Sequence, residues 1–138
     1  MPGARGTVTG DGFAVPPESA PENVKDVITA GNAIATTPYK WGGGHAQWDD
    51  TGYDCSGSVS YALHGGGLLD SALVSGDFAR WGSSGPDRWI TVYANGGHVY
   101  MVVAGMRFDT SARSRTGSRW TSESRSSDGF AVTHPSGL

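Results

Sequence analysis

From Val24 the apolar positions recur at helical spacing: Val24, Val27, Ile28, Gly31, Ile34 and Ala35 fall on one face. Ahead of them, Ser19-Ala20-Pro21-Glu22 offers a capping serine, a proline suited to a first turn and a glutamate at capping-box spacing. Pro38 sets the downstream limit, because the residue before a proline avoids helical backbone. A second helix is predicted from Asp54, a strong N-cap. It carries Cys55 in its first turn, turns Val59, Ala62 and Leu63 inward and ends at Gly65-Gly66-Gly67. Between the helices, residues 38–53 read as a loop, with three successive glycines at Gly42-Gly43-Gly44.

The pattern then changes. Residues 68–88 read as irregular, anchored by Leu68, Leu69, Leu73, Phe78 and Trp81. Trp89 to Ala94 is β-rich, Asn95-Gly96-Gly97 is a turn, and His98 to Val103 is the clearest strand. Ala104-Gly105 serves as a two-residue turn into a strand from Met106 to Thr110. Residues 111–128 read as a polar Ser/Arg/Thr loop with Trp120 as its anchor, and Phe130 to His134 as a last strand. Helices first and an antiparallel meander afterwards make an α+β fold, with the helices packed on one side of the sheet. Residues 1–18, rich in Gly, Pro and Thr, read as a linker or arm that Val8 and Phe13 pin down, and residues 19–138 as the domain.

Composition narrows the class. A chain of 138 residues fits one domain, and 37% hydrophobic residues with 22 glycines predict a small core with many turns. The net charge of −3 supplies no basic field, which argues against a nucleic-acid partner. No apolar run reaches membrane-spanning length, and Met1 to Arg5 lacks the apolar stretch of a signal peptide. The single cysteine excludes an internal disulfide. The four histidines show no close ligand spacing, so neither a metal nor a cofactor is expected.

That cysteine is the chemical focus. In a first helical turn a thiol meets unpaired N–H groups and the positive end of the macrodipole, both of which favour thiolate. Small neighbours, Ser56 and Gly57, let a substrate backbone approach. A nucleophile of this kind needs a base. Of the histidines, His64 falls near a helix C-terminus and His134 near the chain end, where structural roles suffice. His45 follows the glycine run and can line a cleft, while His98 opens a strand after a Gly-rich turn, both held and exposed. With a turn at Ala104-Gly105, Tyr100 faces Asp109, which places Asp109 diagonally from His98 on the same face. A carboxylate there can take the Nδ1 proton and fix the tautomer. A three-residue loop would reverse the parity and favour Thr110.

Three segments, Tyr39-Lys40-Trp41-Gly42-Gly43, Tyr53-Asp54-Cys55-Ser56-Gly57-Ser58-Val59 and Gly97-His98-Val99-Tyr100-Met101-Val102-Val103, occur in the order of the motifs of NlpC-type cell-wall cysteine peptidases. The chain resembles that family over about residues 20–134. The resemblance implies a reduced papain-like fold, with Cys55 as nucleophile and His98 as base. It implies that Tyr39, Asp54 and Ser56 form the pocket for the free amino end of the substrate; Trp41 and His45 are expected beside it as further substrate-binding residues. The family's third polar group is usually His, Asn or Gln, whereas this segment reads Arg107-Phe108-Asp109-Thr110, and Asp109 takes that place by the hairpin argument. The implied partner is a peptidoglycan stem peptide, cut between D-isoglutamate and a diamino acid by a monomer acting outside the membrane, in the wall or periplasm. The alternatives on the same residues are a non-catalytic module that binds wall peptide, and acyl transfer by the same Cys/His pair.

Overall fold

The computed structural model describes residues 5–138. Two short strands, β1 (Thr7–Val8) and β2 (Ala14–Val15), pair as an antiparallel hairpin in the N-terminal arm. The Asn32 side chain holds that hairpin by accepting from the Ala14 N–H and donating to its carbonyl, both at 2.9 Å. Val8 packs against the core and Ala14 is buried, but Phe13 stays exposed and is not a pin. Residues 1–4 of the expected arm lie outside the described residues.

Helix α1 (Glu22–Ala33) buries Val24, Val27, Ile28 and Gly31. Its N-cap is Pro21 and not Ser19, and no side chain caps it. The Ala20 N–H donates to the Pro17 carbonyl, and that turn leaves Ser19 short of the helix start. Helix α2 (Cys55–Gly65) starts at its predicted cap: Asp54 accepts from the Gly57 N–H at 2.7 Å. The stretch expected to be irregular holds two short elements, α3 (Ser75–Phe78) and β3 (Ser83–Ser84). There follow β4 (Ile90–Ala94), β5 (Val99–Val103), β6 (Met106–Phe108), α4 (Thr110–Thr116), β7 (Trp120–Thr121) and β8 (Ala131–His134).

The main sheet is antiparallel, in the order β3-β8-β4-β5-β6-β7. The β4-β5-β6 meander is the predicted one, and β8 returns to pair between β3 and β4. Ala104 and Gly105 have φ of 49° and 79°, the left-handed pair that a two-residue hairpin turn requires. The register is therefore Val103 with Met106, Val102 with Arg107 and Met101 with Phe108. Helices α1 and α2 pack together, α2 packs on β5, and one core joins Val27, Ile28, Leu63, Met101, Phe108 and Trp120. The α+β class read from the sequence is the observed one.

Residues 111–128 depart from the predicted loop. Asp109 caps α4 through the Ser111 N–H, and Gly117 closes it with φ 91°. Only Thr110 and Ala112 of this helix are buried, so its sequence carries little apolar period. Beyond it, β7 adds a strand, with Trp120 fully inside.

Beside Trp120 lies a buried arginine that sequence reasoning missed. Arg119 donates from Nε to the Ser58 hydroxyl at 2.9 Å, and from its two terminal nitrogens to the carbonyls of Ile34 (2.7 Å), Thr37, Pro38 (3.4 Å) and Tyr53 (3.0 Å). Every acceptor is neutral. Burial lowers its pKa to about 10, so the guanidinium keeps its charge at neutral pH. One side chain thus ties the end of α1, both ends of the 38–53 loop and the Cys55 helix to the sheet.

Candidate active site

Cys55 is the first residue of α2, half-buried at the end of a helix whose flank packs on the sheet. Within that first turn the Gly57 N–H donates to the Asp54 carboxylate and the Ser58 N–H to the Asp54 carbonyl. The N–H groups of Cys55 and Ser56 make no hydrogen bond among the described residues. They are available to an oxygen beside the sulfur.

The glycine run explains how α2 fits. A Cβ on Gly57 would lie 2.0 Å from the Gly43 carbonyl oxygen. The loop and the helix therefore touch backbone to backbone, and the Asp54 N–H donates to that same Gly43 carbonyl at 3.3 Å. We expect Gly57→Ala to destabilise the protein by about 1–3 kcal/mol through overpacking. It should also slow iodoacetamide labelling of Cys55, as the first turn shifts. Thermal melts and labelling rates check both.

His98 sits one residue before β5, fixed by its N–H to the Asn95 side chain at 2.9 Å. Its Nε2 lies 2.9 Å from Asp109 Oδ1, and Cys55 is close enough to help raise the ring's pKa. The sequence reading gave Asp109 the Nδ1 side, and the structure corrects this. Asp109 lies past the end of β6 and meets Nε2, which leaves Nδ1 without a hydrogen bond among the described residues. The alternative, Thr110, belongs to the first turn of α4 and lines a separate hollow beside His98.

Asp109 is enclosed, with no side-chain exposure (0%). Its Oδ1 accepts from His98 and from the Ser111 N–H, and its Oδ2 from Arg125 at 2.9 Å, with Arg107 Nε at 3.5 Å. Burial pushes its pKa up, but the His98, Ser111 and Arg125 bonds prevail and hold it at about 2. Burial likewise pulls His98 down, yet the bonds to Asp109 and Cys55, with their charges, raise it to about 9. At neutral pH the pair is an imidazolium held by a carboxylate.

On the other side of Cys55, His45 Nε2 lies 3.0 Å from both Asp54 Oδ1 and the Ser56 hydroxyl. Asp54 Oδ2 takes the Gly42 N–H at 3.2 Å. Asp54 is thus engaged by the helix, the glycine loop and His45 together. Tyr39, Trp41, His45, Asp54, Cys55 and Ser56 line one open cleft of about 440 Å³. The Trp41 indole stands 88% exposed at its edge. The Tyr39 pKa is raised by burial and by the charges of Cys55 and Asp54, which keeps its hydroxyl a donor. Tyr39 also borders the second hollow, of about 320 Å³, with His98, Thr110 and Ser111.

The other histidines are occupied elsewhere. His64 bonds the Leu69 carbonyl and stacks on Trp48, and His134 bonds the Gly85 carbonyl. No cluster of ligand side chains able to hold a metal occurs among the described residues. Nor is any helix among them long and apolar enough to cross a membrane. Sequence reasoning missed Arg107 and Arg125, the cations around Asp109. Arg107 was read on the strand after the hairpin and Arg125 in the polar loop, so nothing in the pattern gave them a common target.

No protein-family model matches the chain. Nor does any curated protein match it. Among solved structures the chain is similar to the peptidoglycan hydrolase RipB from Mycobacterium tuberculosis, at 28% identity and a TM-score of 0.61. The match covers 87% of this chain and 68% of that one.

Proposed function

We propose that this chain is a cell-wall hydrolase of the cysteine peptidase type, in which Cys55 attacks peptide bonds of peptidoglycan stem peptides. The observation that supports the reading is three groups in one region: a sulfur at a helix N-terminus beside an open cleft, a His98 ring whose pKa that sulfur helps raise, and a buried carboxylate on the ring's Nε2. Similarity to a peptidoglycan hydrolase supports the substrate class. The resemblance to NlpC-type motifs supports the D-isoglutamyl–diamino acid bond as the one cut. Residues 19–138 then form the peptidase domain, acting as a monomer outside the membrane.

The sulfur, as thiolate beside the His98 imidazolium, adds to the scissile carbonyl. The free N–H groups of the first α2 turn hold the developing oxyanion. His98 passes a proton to the leaving amine and then takes one from the water that releases the acyl group. Asp109 holds the ring in line throughout. Tyr39, Asp54 and Ser56 receive the substrate's free amino end, with His45 and Trp41 shaping the same cleft. An arriving ammonium displaces His45 from Asp54 Oδ1, so the carboxylate keeps its capping bond to Gly57 and changes only one partner.

The test is digestion of defined stem-peptide fragments followed by mass spectrometry. The wild-type protein should release the expected pair of products, and Cys55→Ala should release none while melting normally. An active Cys55→Ala variant refutes the reading. Binding without turnover by the wild-type protein points instead to a wall-peptide-binding module, and product joined to an added amine points to acyl transfer.

A further inference from the structure

We propose that Arg125 is a positioning residue for the imidazole, clamping the second oxygen of Asp109 from the segment that joins β7 to β8. The proposal rests on the Cys55–His98 reading above. The Asp109 carboxylate divides its two oxygens between different donors. Oδ1 is filled by His98 Nε2 and the Ser111 N–H. Oδ2 is left for a cation, and two stand near it. Arg107 Nε, at 3.5 Å, makes no hydrogen bond, whereas Arg125 donates from Nη1 at 2.9 Å. With one oxygen fixed by backbone and the other by a guanidinium, the carboxylate plane cannot swing away from the ring.

Arg125 is itself held. Its guanidinium carbon lies 4.9 Å from the centre of the Tyr100 ring and 5.4 Å from that of Phe130. Phe130 in turn meets both Tyr100 and the His98 ring edge-on. The same short segment therefore supplies the clamp on Asp109 and a wall for the imidazole. A lysine would provide a charge here but not the planar fork that both bonds and stacks.

The charge matters as much as the geometry. His98 is faced by Cys55 from α2, by Asp109 past β6, by Tyr100 from β5 and by Tyr39 across the hollow, while Arg107 and Arg125 act on it through Asp109. Without Arg125 less positive charge offsets the carboxylate, so His98 binds its proton more tightly. An acid that holds its proton more tightly gives it up more slowly to a leaving amine.

The test uses the full chain. NMR titration of the His98 ring is followed in the wild-type protein and in Arg125→Ala, Arg125→Gln, Arg125→Lys and Cys55→Ala. Arg125→Ala and Arg125→Gln should raise the ring's midpoint by about half a unit or more. They should also lower kcat by about tenfold with KM little changed, and Arg125→Lys should recover most of the midpoint shift but less of kcat. Loss of a merely structural contact would lower the melting temperature and leave the midpoint in place. A folded Arg125→Gln protein with the wild-type midpoint and kcat overturns the proposal. Cys55→Ala reports on the underlying reading separately, because losing a thiolate beside the ring lowers the midpoint. An unmoved midpoint in that variant sinks the Cys55–His98 pairing itself.

Discussion

Replacing Arg119 with Met will lower stability by about 3–5 kcal/mol, because four carbonyls and a hydroxyl each lose a donor inside the protein, and only the Ile34 and Pro38 carbonyls keep a backbone N–H. The methionine restores volume but no donor. Buried ion pairs can sometimes be exchanged for apolar groups at little cost, since both charges leave together. Here the acceptors are mostly main chain and stay behind. Against a total of about 5–15 kcal/mol for a domain, that is a large share. The melting temperature should fall by roughly 10–20 °C. Arg119→Lys should recover only part, since three donors cannot serve the same five acceptors. A melt of Arg119→Met within a few degrees of wild type would show that the network contributes little.

His98→Ala will lower turnover by about two to four orders of magnitude, the range of a lost general acid–base group. Labelling of Cys55 by iodoacetamide near neutral pH should slow as well, because the sulfur loses its imidazolium partner. The wild-type pH profile should carry a limb near pH 9, where His98 gives up its proton, and the variant should lack it. Stability follows the same pair with opposite signs at its two ends. His98 is raised from 6.5 to about 9, so its contribution is full below 6.5 and fades as pH rises through 9. Asp109 is depressed from 3.8 to about 2, so its contribution is present above 3.8 and fades as pH falls through 2. Kinetics and melts over that range check both statements, and wild-type turnover in His98→Ala would refute the role.

What the sequence made legible was whatever short-range chemistry fixes. Asp54 capped its helix because an aspartate before a small-residue turn has an N–H three positions on to accept. Ala104-Gly105 set the hairpin because two left-handed residues are needed there, and that register carried Asp109 to the same side as His98. Contacts between partners distant in the chain leave no such mark. Arg119 reaches residues from 34 to 58, and no local pattern marks a buried arginine among surface-like neighbours. Helix α4 was hidden for another reason: Asp109 and Gly117 bracket it, but a helix burying two residues shows no apolar stripe. The choice of ring nitrogen depended on where the carboxylate lies past the strand end, which spacing alone does not give.

The joint made by Arg119 differs in kind from the pair between Lys40 and Asp50 on the same loop, where the lysine is half exposed. Dissolved ions weaken attraction between charges that water can reach. They have little purchase on a guanidinium whose partners are uncharged oxygens away from solvent. The base of the loop and the start of the cysteine helix should therefore stay in register from dilute buffer to strong brine, while the loop's outer half loosens.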